Sequence, residues 1–190
     1  TMIRIATAIF ASYIIGAIPF SFMIGSKYKQ NLFLKGNRKS GAANVLKTSG
    51  LKPALLAFTA DFTKGSGTMI AARSLGFDNS IVIVLAMSTI VGHWKSIFIR
   101  FKGGDGYATL AGITLSLFNV AGFITFAGAG MITYFARFFK YSSTLSVPGG
   151  YLILLICTRN MNVQVTGMGV IYFLVFFKSN YAVIKQKYLN

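Results

Sequence analysis

Residues 3–24, IRIATAIFASYIIGAIPFSFMI, decide the class of fold. This run holds one charged residue, Arg4, and has the roughly 20 apolar residues that a helix needs to cross a bilayer. The whole chain shares this character: 54% of its 190 residues are hydrophobic, 12% are charged and the mean hydropathy is +0.63. A soluble domain carries about 25% charged residues. The composition therefore predicts an integral membrane protein and excludes a soluble or disordered chain. We see no signal-peptide cleavage pattern, and expect the first run to remain as a span.

Further apolar runs follow, separated by charged, glycine or proline residues. Several are shorter than 20 residues, which indicates tilted or broken helices. We predict an all-α polytopic transmembrane protein of about seven spans, with six as the nearest alternative, in a single integral membrane domain, 1–190. A long basic loop is expected at 26–52, and the later spans at 53–75, 80–93, 107–117, 121–134, 144–158 and 163–177.

The basic residues predict the orientation of these spans. The sequence has 19 Lys and Arg against three Asp and no Glu, which gives a net charge of +16. If the basic loop is cytoplasmic, fifteen of the cations fall inside and only Arg4, Arg73 and Arg159 outside. Because cytoplasmic loops are enriched in Lys and Arg, we expect an outside N-terminus and a cytoplasmic C-terminus.

The rare residue types limit the chemistry. One His and one Cys, with no Glu, make zinc or di-iron chemistry a poor fit, and we expect no metal and no cofactor. The excess of Lys and Arg over acidic residues would by itself suit a nucleic-acid-binding protein, but the long apolar runs do not. We therefore predict no nucleic-acid partner.

A first candidate site is the segment from Gly36 to Asn44, with Lys47 after it. Glycines leave room for backbone N–H groups to point at phosphate oxygens, and Lys and Arg add charge-assisted hydrogen bonds. The alternative is a basic loop that is merely attracted to anionic lipid headgroups. Local sequence leaves both interpretations open.

A second candidate is the pair Asp61 and Lys64, which lies three residues apart inside a predicted span. Such spacing places both side chains on one helix face. Ionisable groups inside a membrane are costly and therefore indicate function by default. The alternative is a structural ion pair that orders neighbouring loops.

A third candidate runs from Gly92 to Thr109 and contains Lys102-Gly103-Gly104-Asp105-Gly106 before an apolar helix. A helix N-terminus with free N–H groups attracts anions. Asp105 suits a helix start but would repel a phosphate beside it. His93 is either a general base or a structural residue. In the tail, Asn180 would contact a substrate only if the tail folds back. Together these segments predict a small, phosphorylated, cytoplasmic ligand and a second, apolar substrate from the bilayer.

The same segments resemble, in order and spacing, the motifs of the bacterial acyl-phosphate:glycerol-3-phosphate acyltransferase family. The resemblance covers nearly the whole chain, and its most specific part is the stretch from Gly92-His93 to Lys102-Gly103-Gly104. The segments that carry it are Gly16-Ala17-Ile18-Pro19, residues 36–44, Asp61-x-x-Lys64-Gly65, Gly92-His93, Phe101-Lys102-Gly103-Gly104-x-Gly106-x-Ala108-Thr109, Lys140-Tyr141-x-Ser143 and Asn180.

The resemblance implies a seven-span enzyme of the bacterial inner (plasma) membrane without a metal. It would move a fatty acyl group from acyl phosphate to glycerol 3-phosphate, forming lysophosphatidic acid for phospholipid synthesis in contact with membrane lipid. Carried over, the catalytic residues would be Lys102, Lys47, Asn44 and His93. Asp61 and Lys64 would support the loops. Substrate phosphate would be bound by Lys39, Ser40, Gly41, Gly103, Gly104, Gly106, Thr109 and Asn180.

This sequence departs from the family pattern at Asn37, Arg38 and Lys39, at Ala43 and Lys47, at Asp105, and near Lys178. Asp105 reverses the charge of a lysine beside the anion site. The extra cations Arg38 and Lys39 either compensate for it, or the site has drifted. A drifted site would make the chain a catalytically silent relative, acting as a structural subunit with partners in a membrane complex. An unrelated transporter or channel is a third interpretation, with few polar residues in the spans to line a path.

Overall fold

The structure, a computed structural model, describes the backbone of residues 1–136 and 142–188 and the side chains of 1–136 and 145–181. All regular elements in this part of the chain are helical, so the predicted all-α class is confirmed. A short 3₁₀ turn at Ile97–Ile99 precedes the sixth helix. The α-helices are α1 Met2–Ala17, α2 Phe20–Lys27, α3 Ala42–Ser49, α4 Leu51–Ser74, α5 Asn79–Trp94, α6 Tyr107–Phe135, α7 Ser142–Thr158 and α8 Val163–Tyr188.

Within the described residues, three helical stretches are long and apolar enough to cross a membrane: Met2–Lys27, Asn79–Ile99 and Tyr107–Phe135. A shorter apolar helix spans Leu145–Thr158. These stretches coincide with the predicted spans at 3–24, 80–93, 107–117, 121–134 and 144–158. The prediction of about seven spans with a defined orientation goes further than these lengths and stays a prediction.

The first span is broken where the sequence has Ile18-Pro19. Helix α1 ends at Ala17, and α2 starts at Phe20 after Pro19 with φ −91° and ψ 63°. Proline cannot donate to the helix ladder, so the break leaves carbonyl oxygens without intrahelical partners. Two of them find side chains from elsewhere: Ser96 Oγ donates to Ala17 O, and Lys64 Nζ donates to Ile18 O at 3.0 Å. The break therefore brings polar groups of three segments together.

Two of the predicted segments have different structures from those expected. The segment 26–52, predicted as one loop, contains the whole of α3, because its small and aliphatic residues from Ala42 onward continue as a helix after Gly41. Helix α8 begins at Val163, where the last span was predicted to begin, and extends past the predicted end of that span at residue 177 as far as Tyr188. The expected break at Phe118-Asn119 is present, since Asn119 has φ 47° and ψ −113° inside α6. The predicted element at Lys140-Tyr141 lies outside the described residues.

Glycines allow the helices around the site to approach closely. On α1 and α5, a Cβ at Gly16 would lie 2.8 Å from the carbonyl carbon of Thr89, and a Cβ at Gly92 would lie 2.9 Å from the nitrogen of Ala17. A Cβ at Gly65 of α4 would lie 3.1 Å from Thr109 C. Small residues at such crossings let membrane helices pack backbone to backbone. These contacts fix α1, α4, α5 and the start of α6 around one point.

The chain separates into two compact units, Thr1–Ile113 and Thr114–Asn190. The first holds every predicted site residue except Asn180. In the second, Thr114 and Tyr172 share a hydrogen bond of 3.0 Å, and the Asn180 amide donates to Phe176 O at 3.1 Å. The single domain expected from the sequence stays a prediction.

Candidate functional site

The centre of the site is a buried ion pair on α4. Lys64 Nζ lies 2.9 Å from Asp61 Oδ1, and both side chains are 2% exposed. Ser21 of α2 donates its hydroxyl to Asp61 Oδ2, while Lys64 also binds Ile18 O at the break in the first span. The pair therefore joins α4 to both halves of the first span. The supporting role expected for Asp61 and Lys64 stays a prediction.

His93 and Thr109 lie against this pair. His93 Nδ1 is 3.8 Å from Asp61 Oδ1 and 3.4 Å from Thr109 Oγ1. The Thr109 hydroxyl donates to the backbone oxygen of Asp61 at 3.0 Å. Both side chains are buried. The geometry connects α5 and the start of α6 to the ion pair. The expected catalytic role of His93 and the expected phosphate binding by Thr109 stay predictions.

The first glycine loop, residues 36–41, is organised by Asn44. This side chain is fully buried, and its Nδ2 donates to the carbonyls of Leu32, Lys35 and Lys39 at 2.9–3.1 Å. Its Oδ1 accepts from Asn37 N at 2.9 Å. Because these bonds use both ends of the amide, Asn44 acts in this structure on loop shape, not as an open donor to a ligand.

The second glycine loop, residues 102–106, is packed against Trp94 and His93. The Gly103 N–H donates to Trp94 O at 3.0 Å, and Trp94 Nε1 donates to Asp105 O at 2.8 Å. Gly106 has φ +95°, which favours glycine, and a Cβ there would lie 2.9 Å from Trp94 Nε1. The N–H of Gly103 is thus already used, so we assign this glycine to close packing.

The two loops meet, as the sequence-based hypothesis of one anion site requires. A Cβ on Gly104 would overlap Ser40 O and lie 2.7 Å from His93 Nε2, so only glycine fits this contact. Lys39 Nζ lies 2.8 and 2.9 Å from the two oxygens of Asp105. The charge reversal at Asp105 is therefore matched by a lysine at another of the departures from the family pattern.

A small pocket lies between the loops and the buried ion pair. Its walls include Ser40, Asp61, Lys64, His93 and Gly104, and its cavity volume of about 10 Å³ takes about one water molecule. An apolar groove of about 390 Å³ adjoins it, lined by Ile18, Pro19, Phe22, Met23, Phe98 and Ile99. The pocket and the groove share Ile18, Pro19 and Ile99.

The predicted site residues differ in exposure. Ser40, Asn44, Thr109 and Gly104 are buried, whereas Lys47 and Lys102 are exposed around them. Gly41 has open space around it. Sequence reasoning missed Ser21, since a serine in an apolar run gives no signal of a distant partner. Ser96 and Trp94 lie inside the third candidate segment, 92–109, but the sequence assigned no role to either of them.

Comparisons with known proteins agree with the motifs. A family model described as glycerol-3-phosphate acyltransferase matches residues 6–187. The glycerol-3-phosphate acyltransferase of Dechloromonas aromatica (strain RCB) is 36% identical over 150 residues, which cover 76% of this chain and 72% of that protein. That of Roseiflexus sp. (strain RS-1) is 37% identical over 117 residues, covering 62% and 57%.

A solved structure shares the fold. The crystal structure of PlsY, an integral membrane glycerol 3-phosphate acyltransferase in its glycerol 3-phosphate form, superposes with a TM-score of 0.84 over 96% of this chain and 92% of that one, at 24% identity. Its lysophosphatidic acid form gives a TM-score of 0.78. The integral membrane fold predicted from composition is thereby confirmed. With its apolar helices, its glycine loops and a family match over residues 6–187, this chain belongs to the glycerol-3-phosphate acyltransferase family.

Proposed function

We propose that this protein transfers a fatty acyl group from acyl phosphate to the 1-hydroxyl of glycerol 3-phosphate, forming lysophosphatidic acid and inorganic phosphate. The observation that carries the proposal is the shared wall of the polar pocket and the apolar groove at Ile18, Pro19 and Ile99. An acyl donor needs one place for a chain and an adjacent place for a charged group. Within the first compact unit, the apolar groove offers a place for the chain, and the adjoining polar pocket would take the charged group once side chains at its rim have moved.

In the proposed reaction, the substrate hydroxyl oxygen attacks the carbonyl carbon of the acyl phosphate. The bond from that carbon to the phosphate oxygen then breaks, and the hydroxyl proton leaves with the departing phosphate. The chain supplies position and charge: Lys102 and Lys47 hold phosphate groups, while the packed loops set the orientation. Holding two substrates in attack geometry supplies about 7–11 kcal/mol, so an enzyme without a protein nucleophile is physically sound.

The match of residues 6–187 to a glycerol-3-phosphate acyltransferase family model supports an active enzyme over a catalytically silent relative, and the paired charges of the site are consistent with it. Burying an unpaired charge is costly, and in this site Asp61 is paired with Lys64 and hydrogen-bonded to Ser21. The reversed charge at Asp105 is likewise paired with Lys39. A cavity of about 10 Å³ is too small for a phosphate group, so substrate binding must move side chains at its rim.

We also propose seven spans in the plasma membrane of a bacterium, with the N-terminus outside and both glycine loops cytoplasmic. The contact between Ser40 and Gly104 supports one side for the two loops. In a Cys157→Ser background, a membrane-impermeant thiol reagent applied to intact cells should label Arg73→Cys and leave Lys29→Cys unlabelled. Labelling of the Lys29 position would contradict this orientation.

The enzyme is tested by following phosphate release from purified protein in lipid, supplied with acyl phosphate and glycerol 3-phosphate. Release should depend on both substrates and fall strongly in Lys102→Ala, while Lys52→Ala, an exposed lysine at the start of α4, should keep it. Formation of lysophosphatidic acid with acyl-coenzyme A in place of acyl phosphate tests the donor, because the leaving group is then the coenzyme A thiol and no phosphate is released. No release above the Lys102→Ala level, in several lipids, would reject the proposal.

A further inference from the structure

The ion pair between the glycine loops is the feature that the proposed reaction does not explain. Lys39 Nζ binds both oxygens of Asp105, at 2.8 and 2.9 Å, and the two side chains are 29% and 18% exposed. The pair joins residues 66 positions apart in sequence, at the place where the loops touch.

Both ends of this pair are fixed by their backbones. Lys39 N donates to Asn37 Oδ1, and Lys39 O accepts from Asn44 Nδ2. Asp105 O accepts from Trp94 Nε1. The Lys39 side chain therefore extends from an ordered turn, and the Asp105 carboxylate extends from a loop that is hydrogen-bonded to the Trp94 indole. A pair with such support loses less side-chain entropy on forming than two mobile surface side chains.

The position of the carboxylate explains why it needs a partner. Asp105 stands three residues after Lys102 and two before α6 begins at Tyr107, where the helix N-terminus favours anions. An unpaired carboxylate there would repel an anionic substrate, because like charges placed together at a binding site cost several kcal/mol. Lys39 covers both of its oxygens.

We infer that Lys39 is a positioning residue that masks the charge of Asp105, so that a phosphorylated substrate can bind beside Lys102. The inference rests on the proposed function and assigns Lys39 a different role from direct phosphate binding. It makes the two residues unequal: losing the lysine exposes a negative charge, whereas losing the carboxylate only frees a cation. If the ion pair only held the two loops together, removing either residue would have the same effect on substrate binding.

The test measures kcat and KM for glycerol 3-phosphate at saturating acyl phosphate in reconstituted protein. The variants are Lys39→Met, Lys39→Gln, Asp105→Asn and the double variant Lys39→Met/Asp105→Asn. Lys35→Met is the matched control, because Lys35 lies in the same region and its Nζ binds the neutral Gln30 side chain. Thermal unfolding is recorded for every variant, and the lysine variants that keep the wild-type midpoint are compared.

We expect the lysine variants to raise KM by about tenfold or more, with kcat within about twofold. Asp105→Asn should keep or lower KM, and the double variant should return to within about threefold of wild type. The effect of Lys39→Met should shrink as ionic strength rises, because charges that are partly exposed are screened. Lys35→Met should behave as wild type.

Three results would overturn the inference: unchanged KM in both lysine variants, an equal rise in KM in Asp105→Asn, or a double variant as impaired as Lys39→Met. The last would mean that the ammonium itself contacts substrate. Binding of inorganic phosphate, followed by calorimetry on the same proteins, is the second readout. If wild-type protein released no phosphate from acyl phosphate, the proposed function would fail, and the order of the phosphate affinities would still decide the role of Lys39.

Discussion

Replacing Lys64 with methionine tests the buried ion pair at the centre of the site. Methionine keeps an unbranched apolar stem of similar length and removes the ammonium group. The change deletes the 2.9 Å contact with Asp61 Oδ1 and the 3.0 Å bond to Ile18 O. It leaves the Asp61 carboxylate, 2% exposed, with Ser21 as its hydrogen-bond donor.

The expected cost follows from burial. Removing one partner of a buried ion pair costs about 3–5 kcal/mol, because the remaining charge is uncompensated. That range is a factor of about a hundred to a few thousand in the folding equilibrium. For a chain of this size it corresponds to a fall in melting temperature of about 6–20 °C.

Thermal unfolding of the protein in one fixed detergent or lipid is the assay, with Lys52→Met as the control on the same helix. Lys52 is exposed, so its loss should move the melting temperature by less than about 2 °C. The double variant Asp61→Asn/Lys64→Met removes both charges and should recover at least half of the loss. Our reasoning would be refuted if Lys64→Met had the wild-type melting temperature, or if the double variant were less stable than Lys64→Met.

Three further changes test the packing around the pair. Gly104→Ala would put its Cβ into a carbonyl oxygen of the first glycine loop, so phosphate release should fall about a hundredfold. Gly67 has open space around it, so Gly67→Ala should keep the wild-type rate of phosphate release. Equal activity of the two variants would contradict the loop contact. Asn44→Ala should lower the free energy of unfolding by about 1–3 kcal/mol, since it strands buried carbonyl groups, and a wild-type melting curve would disprove this. Gly92→Ala, whose Cβ would overlap Tyr13 O, should cost about 1–3 kcal/mol by the same measurement, and no loss would show that α1 and α5 can separate freely.

The helical, membrane-embedded class could be predicted from the sequence because hydropathy acts on whole segments. Local chemistry also located Asp61, Lys64 and the two glycine loops, since ionisable residues in a span and glycines beside cations are unusual in themselves. The break at Asn119 was likewise visible as a polar residue between two apolar runs. These are properties that a single stretch of chain carries without its neighbours.

Pairings between distant segments could not be predicted in the same way. Ser96 Oγ reaches Ala17 O across 79 positions, and Lys39 reaches Asp105 across 66. Such contacts depend on how helices cross, and the sequence around a serine or lysine does not show whether its side chain has a distant partner. The helix from Ala42 to Ser49 was missed because its cationic neighbours made the whole segment resemble a loop.

The interruption of the first span at Pro19 has a consequence for how the protein is inserted. Two carbonyl oxygens, those of Ala17 and Ile18, are satisfied by side chains that arrive much later in synthesis. Unpaired backbone groups are strongly disfavoured in lipid, so the nascent first helix is incomplete until the segments carrying Lys64 and Ser96 have entered beside it. Packing of these later segments against the first span therefore also completes the backbone hydrogen bonding at its break.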